Sequence, residues 1–199
     1  MPKRVDVDAQ RRTIASAAIR VIDAAGLDGA RLRDVARAAR VTTGAVTHYF
    51  DGKHAVVEAA LAEIVRRTLE RLDAGRHKRP SDAATFVRQV GAYLPIDDPS
   101  RQEWRVWLAF WGQAIADVRL REIHRRYYAA FVQHVADALR LLAPERSSRE
   151  ARGCADAVIA ALDGVGTRAT VEPEGWSPKR QRQTLGALLT PLLASFVEA

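Results

Sequence analysis

Arg31-Leu32-Arg33-Asp34-Val35-Ala36-Arg37-Ala38-Ala39-Arg40-Val41-Thr42-Thr43-Gly44-Ala45-Val46-Thr47-His48-Tyr49-Phe50-Asp51-Gly52-Lys53 reads as two short helices joined by a tight turn. Leu32, Val35, Ala36 and Ala39 fall on one face at helical spacing, Val41 points inward from the turn, and Val46 with Phe50 supplies the buried side of the second helix. Thr43, Ala45, Thr47 and His48 are left outward. Thr42 stands where its side-chain oxygen can cap the second helix, and Gly44 in the first turn lets that end approach another surface closely. A helix N-terminus also attracts phosphate through its free N–H groups and dipole. An ordinary helical hairpin in a core would share the apolar pattern. The outward polar set is what a helix laid in a DNA groove requires.

Charge points the same way. The chain of 199 residues carries a formal charge of +7, which favours a polyanionic partner. Residues 1 to 55 hold ten Lys or Arg against six Asp, an excess of four where the DNA face is expected.

Upstream, Arg12, Ile14, Ala17, Ala18, Val21 and Ile22 predict a first helix from Asp8 to Ala25 with Asp8 as its cap, linked by Gly26-Leu27-Asp28-Gly29 to the pair. Downstream, Lys53 opens a long amphipathic helix on Val56, Val57, Ala60, Leu61, Ile64, Val65, Leu69 and Leu72, ending near the basic Arg76-His77-Lys78-Arg79 before Pro80. Ser81 or Asp82 starts a helix through Phe86, Val87, Val90 and Leu94, and Pro95 with Pro99 breaks it. Capping boxes at Ser100-x-x-Glu103 and Ser147-x-x-Glu150, and Ser177-Pro178 at a helix start, divide the rest into helices near 100–116, 118–142, 148–171 and 178–198. With no alternating strand pattern, the expected fold is all-α with about nine helices. A three-helix helix-turn-helix head (1–52) is followed by a helical ligand-binding and dimerisation body (53–199).

The stretch resembles the DNA-binding signature of the tetracycline-repressor (TetR) family of bacterial regulators: an Ala-x-x-Ala-x-Val run, Thr42-x-Gly44-x-Val46, the pair Tyr49-Phe50, and Lys53 two residues past Asp51. Three positions depart from that pattern. Arg31 replaces the usual Ser or Thr cap of the second helix, Arg40 the usual turn Gly, and Thr47 a common Tyr. The resemblance implies a ligand-responsive regulator, a repressor released from a palindromic operator by a small-molecule effector. It implies phosphate contacts from Thr42, Thr43, Tyr49, Lys53 and the end of the first helix, with Thr47, His48 and Arg33 reaching base edges or adjacent phosphates and Gly44 and Ala45 on the same DNA-binding surface. The further partners it implies are a second copy of the chain and an effector of unknown identity; no cofactor and no metal are expected.

In the body, Trp104, Trp107 and Trp111 share a helical face at i, i+3 and i+7, and with Phe110 belong to a segment that is apolar nearly all round. Core packing accounts for such a stripe. The sharper reading is that part of this wall lines an effector cavity, which in the resembled family lies among the middle helices, and three indoles can cage a quaternary or protonated amine. Arg101-Gln102-Glu103-Trp104-Arg105-Val106-Trp107 and Leu162-Asp163-Gly164-Val165 resemble the C-terminal domain of the choline-responsive, BetI-like branch. The stripes Val158, Leu162, Val165 and Leu185, Leu189, Leu192, Phe196 are wider than one core-facing side needs. In the family the last two helices pack against their copy in a four-helix interface.

Other classes fit less well. The five histidines form no His-x-x-x-His or His-Glu-x-x-His set, there is no Gly-x-Ser-x-Gly elbow or phosphate-cradling loop, and Cys154 sits in an apolar context that favours an inert thiol. An all-α enzyme is therefore disfavoured, and Asp156 and Asp163, seven apart on one helix, read as solvated or capping carboxylates ahead of a paired acid–base role. An architectural DNA-binding protein without effector would not need a body of about 145 residues. A single cysteine and the lack of an apolar run near 18 residues or a leader point to a cytoplasmic protein with no membrane span.

Overall fold

Asp6 starts the first helix. Its carboxylate accepts the Asp8 and Ala9 N–H groups at 3.0 and 3.1 Å, so the cap lies two residues before the expected Asp8. Asp8 instead contributes its charge to the first turn. The computed structural model describes residues 6–74 and 80–198, and of residues 69 and 71–74 the backbone alone. The basic run Arg76-His77-Lys78-Arg79 and the side chains of Leu69 and Leu72 lie outside the described residues.

The elements are α1 (Val7–Gly29), α2 (Leu32–Ala39), α3 (Thr43–Tyr49), α4 (Gly52–Ala74), α5 (Ala83–Val90), a 3-10 turn at Gly91–Tyr93, α6 (Asp98–Ala114), α7 (Val118–Leu142), α8 (Ser148–Val171), a 3-10 turn at Pro173–Gly175, and α9 (Pro178–Glu198). No strand occurs among the described residues. Gly26, at φ 67° and ψ 174°, kinks α1 and lets its last turn swing toward α2, a conformation a side chain would resist.

Three starts follow the capping chemistry read from the sequence. Asp82 caps α5 through the Thr85 N–H at 2.7 Å, Ser147 and Glu150 form the full capping box of α8, and Ser177 accepts the Arg180 N–H of α9 at 3.3 Å. The start of α6 differs. Asp97, not Ser100, is the cap: its carboxylate accepts the Ser100 N–H at 2.8 Å, while Ser100 Oγ takes the Asp97 N–H at 3.1 Å, the reciprocal bonds of a capping box one turn earlier. Proline at the second helical position lacks an N–H that would have had no helical partner there, so α6 starts ahead of Pro99. Its end differs too, because Ile115 is 78% exposed and not part of a helix buried all round.

The chain divides into two compact units. The first, Met1–Leu69 with Arg105–Ile123, is larger than a head ending at residue 52. Its core is Ile14, Ala17, Ala18, Ile22, Val35, Val46, Phe50, Val57, Leu61 and Phe110. The Arg105–Ile123 segment is tied to α1 and α4 by polar contacts: Arg105 Nε to Asp23 at 2.5 Å, Gln113 Nε2 to Asp28 at 2.7 Å, and His54 to Asp117 at 2.8 Å. The His54 hydrogen bond holds the Asp117 carboxyl below its ordinary range.

The second unit, Glu70–Trp104 with His124–Ala199, packs α9 against both α5 and α8 around Phe86, Leu139, Ile159, Leu162, Leu185, Leu189 and Leu193. Arg146 Nε donates to the Phe196 carbonyl at 2.7 Å, supplying the last turn of α9 with a donor that helix lacks. Val158, Leu162, Val165, Leu185, Leu189 and Phe196 are all buried inside the single chain. Of the residues expected to meet a second copy, Leu192 alone remains half-buried, and the outward apolar groups of α9 are Leu188 and Val197 at 49% and 41% exposure. The stripes are broad because α8 and α9 cover each other while α9 also packs against α5.

Candidate nucleic-acid interface

The turn between α2 and α3 determines what α3 can present. Arg40 adopts φ 58° and ψ 41°, the left-handed conformation for which glycine is the usual residue. Its N–H donates to the Arg37 carbonyl at 3.1 Å and that of Val41 to Ala36 at 3.0 Å, the paired bonds that close a helix C-terminus. The motif forms despite the side chain. Arg31, as expected, makes no side-chain cap bond at the start of α2.

Thr42 Oγ1 accepts the Ala45 N–H at 3.0 Å and so caps α3. Thr43, Gly44, Thr47 and His48 are exposed on α3, Ala45 and Tyr49 are half-buried, and Val46 is the inward anchor at 0% exposure. The Thr47 hydroxyl is turned back onto its own helix, to the carbonyls of Gly44 at 3.1 Å and Thr43 at 3.3 Å. With its proton engaged, Thr47 offers a base edge its methyl group and oxygen lone pair. His48 stands edge-on to Tyr49, ring centroids 5.2 Å apart, with both ring nitrogens on an exposed side chain. Arg33 on α2 is 63% exposed and only 4.0 Å from Asp34, so its guanidinium is weakly engaged. Lys53, at the start of α4, reaches the Asp28 carbonyl at 3.3 Å.

Two residues of α1 that the sequence offered only as positive charge hold this arrangement. Arg20 Nη2 donates to the Ala38 carbonyl at 2.9 Å, at the end of α2. Arg11 donates to the Tyr49 carbonyl at the end of α3, and its guanidinium lies 4.4 Å from the Phe50 ring centroid. The signal was the pair of short helices, whose last carbonyls need donors from elsewhere.

The aromatic residues of α6 separate. Trp104 belongs to the second unit, where it is buried and its indole N–H donates to the Tyr93 carbonyl at 2.7 Å. Trp107, Phe110 and Trp111 belong to the first, with Trp107 5.7 Å from Phe110 and 6.4 Å from Trp111 between centroids. Among the described residues, no group of three His, Cys, Asp or Glu side chains could hold a metal ion, and no helix is long and apolar enough to cross a membrane.

A capped seven-residue helix with exposed polar side chains, braced by α1 and α2 in a small helical unit, defines a helix-turn-helix DNA-binding regulator. Residues 14–60 match the family described as bacterial regulatory proteins, tetR family, and residues 82–194 match the BetI-type transcriptional repressor, C-terminal. The chain belongs to the TetR family of transcriptional regulators, with a C-terminal domain of the BetI type. It is 33% identical over 174 residues to the HTH-type transcriptional regulator BetI of Burkholderia thailandensis, covering 84% of this chain and 85% of that one. Among solved structures it resembles a transcriptional regulator from Rhodococcus sp. Rha1, with a TM-score of 0.79 at 27% identity over 93% of this chain and 96% of that one. It also resembles a putative transcriptional regulator from Saccharomonospora viridis in complex with choline, with a TM-score of 0.74 at 25% identity over 90% and 95%. These regulators are not enzymes.

Proposed function

We propose that this regulator is a cytoplasmic repressor that grips a palindromic operator as a homodimer and is released by a small-molecule effector. The observation that carries the reading is the exposed row Thr43, Thr47 and His48 on a capped α3, with Arg33 exposed on α2. Two copies insert α3 into successive major grooves. Thr42, Thr43, Gly44, Ala45, Tyr49 and Lys53 lie along the phosphates, and Thr47, His48 and Arg33 meet base edges or neighbouring phosphates. Residues 1–52 form the DNA-binding domain and 53–199 the part that binds effector and the second copy. That second copy meets the outward side of α9, at Leu188, Leu192 and Val197.

Trp104, Trp107, Phe110 and Trp111 are the aromatic candidates for effector binding, and the choline found in the Saccharomonospora viridis regulator supports an amine. Release requires the effector to favour a dimer with wrongly spaced heads, and a coupling of about 1–3 kcal/mol is typical of such systems. Asp28 is the point through which that coupling reaches the DNA face: it binds Gln113 of α6 through its carboxylate and Lys53 through its carbonyl. The test is a footprint on the DNA upstream of its own gene, with and without metabolite pools. Two protected half-sites one helical turn apart, lost on adding a pool, support the reading; no protection at low salt overturns it.

A further inference from the structure

Asp163 lies on α8, half-buried, and its Oδ2 accepts the Tyr128 hydroxyl of α7 at 2.9 Å. Among the described residues that hydroxyl is its one hydrogen-bond partner, and no Lys or Arg pairs with it. A carboxylate partly withdrawn from water is stabilised by a cation beside it. Burial alone pushes its pKa up to about 6, against the opposing pull of the Tyr128 bond, so at neutral pH it is still mostly ionised.

The surroundings suit a cation of another kind. The His124 ring lies 4.2 Å from that of Tyr128 between centroids, tilted by 38°. Burial lowers the His124 pKa, which keeps the imidazole neutral and removes any repulsion of a positive guest. Tyr128, by contrast, is held protonated by burial and by the neighbouring charge, so it stays a donor to Oδ2. One turn along α8, Gly166 lies against the Trp104 indole; a Cβ there would come within 2.1–2.6 Å of three of its ring carbons. The second oxygen of Asp163 is therefore a free acceptor beside neutral π-faces.

We propose that Asp163 is the charge partner of an organic ammonium ligand bearing at least one N–H, which donates to Oδ1 while its carbon skeleton lies against the Tyr128 and His124 rings. The inference rests on the effector reading above and narrows it, because a quaternary ammonium has no N–H and leaves Oδ1 unanswered. Charge attraction and cation–π contact are common to both kinds of amine; the hydrogen bond is not.

The test is calorimetric titration of the full-length protein with ethanolamine, N-methylethanolamine, N,N-dimethylethanolamine and choline, one skeleton with three, two, one and no N–H at neutral pH. Affinity is expected to drop between the dimethyl compound and choline by about ten- to a hundred-fold, the range for a hydrogen bond to a charged group. Asp163→Asn, nearly isosteric, is expected to reduce all four and to level the difference. Choline binding as tightly as the N–H amines, an unchanged Asp163→Asn, or no saturable binding by any of the four overturns the proposal. The wild-type series is read without any variant, so misfolding of Asp163→Asn cannot mask the result. Operator release by the bound amine is measured apart: binding without release removes the regulatory reading and leaves the site standing.

Discussion

The Arg20 guanidinium of α1 donates to the Ala38 carbonyl of α2 across 2.9 Å, while a second nitrogen returns to the Ser16 carbonyl of its own helix at 3.2 Å. The side chain is thereby clamped between two backbones, and α2 cannot slide along α1 without breaking it. Arg20→Met keeps the aliphatic stem and removes the donors. Because the group is exposed, stability should fall by no more than about 1 kcal/mol. Operator affinity should fall further, since α3 is aimed from α2. Thermal unfolding and operator titration of one variant give both numbers; equal losses would reduce Arg20 to an ordinary stabilising contact.

Lys53 and His48 should separate by kind of contact. Lys53→Ala is expected to weaken all duplexes alike and to lower the salt-dependence slope of binding by about one. His48→Ala should leave the slope unchanged and lose discrimination between the operator and a scrambled duplex, by about 1–3 kcal/mol if the imidazole reaches a base edge. Titrations at several salt concentrations with both duplexes decide it.

Local chemistry in this chain was legible wherever one residue fixed its own neighbourhood. Thr42, Ser147 with Glu150, and Ser177 cap helices because a hydroxyl two or three residues ahead of free N–H groups has few other roles. Arg40 was legible as a strained turn for the same reason. Asp97 escaped notice because Ser100-x-x-Glu103 satisfied the same pattern one turn later, and only the backbone bonds distinguish them. Partners far apart in sequence were illegible. Nothing local joins Tyr128 to Asp163, 35 positions apart, or Arg105 to Asp23, 82 apart. The apolar stripes of α8 and α9 announced burial correctly, but periodicity records that a face is covered and not by which chain.

Arg40 is the one described non-glycine residue with positive φ, at 58°. Its side chain is exposed, so replacement costs no buried contact. Arg40→Gly should raise stability by about 1 kcal/mol, the penalty of a left-handed conformation for a residue with a Cβ, less the greater freedom glycine gives the unfolded chain. Chemical denaturation of the variant would show a higher midpoint at unchanged slope.

Leu188→Glu tests the second-copy surface without touching the core, because Leu188 is half exposed while its neighbours Leu185 and Leu189 are fully buried. A charge there should leave the unfolding temperature nearly unchanged in the monomer and shift sedimentation toward the single chain, with operator affinity falling as one half-site is lost.

Glu63 joins α1 to α4 at 5% exposure: its carboxylate takes Arg66 Nε and Arg67 Nε, each at 2.8 Å, and Arg67 continues to Ser16 Oγ at 2.6 Å. The Arg66 hydrogen bond, ahead of the opposing effect of burial, holds the Glu63 carboxyl below its ordinary value of 4.5. A carboxylate whose pKa is depressed on folding contributes stability that is complete above its unfolded value and disappears as pH falls through the folded one. The first unit should therefore loosen on acidification below about pH 4.5. Glu63→Gln should remove that part of the acid dependence and cost about 2 kcal/mol at neutral pH, less than a fully buried pair because both arginines are partly in water. Unfolding of wild type and variant at a series of pH values reads the two effects together. Curves that run parallel down to the lowest pH would show that another carboxylate governs the acid limb.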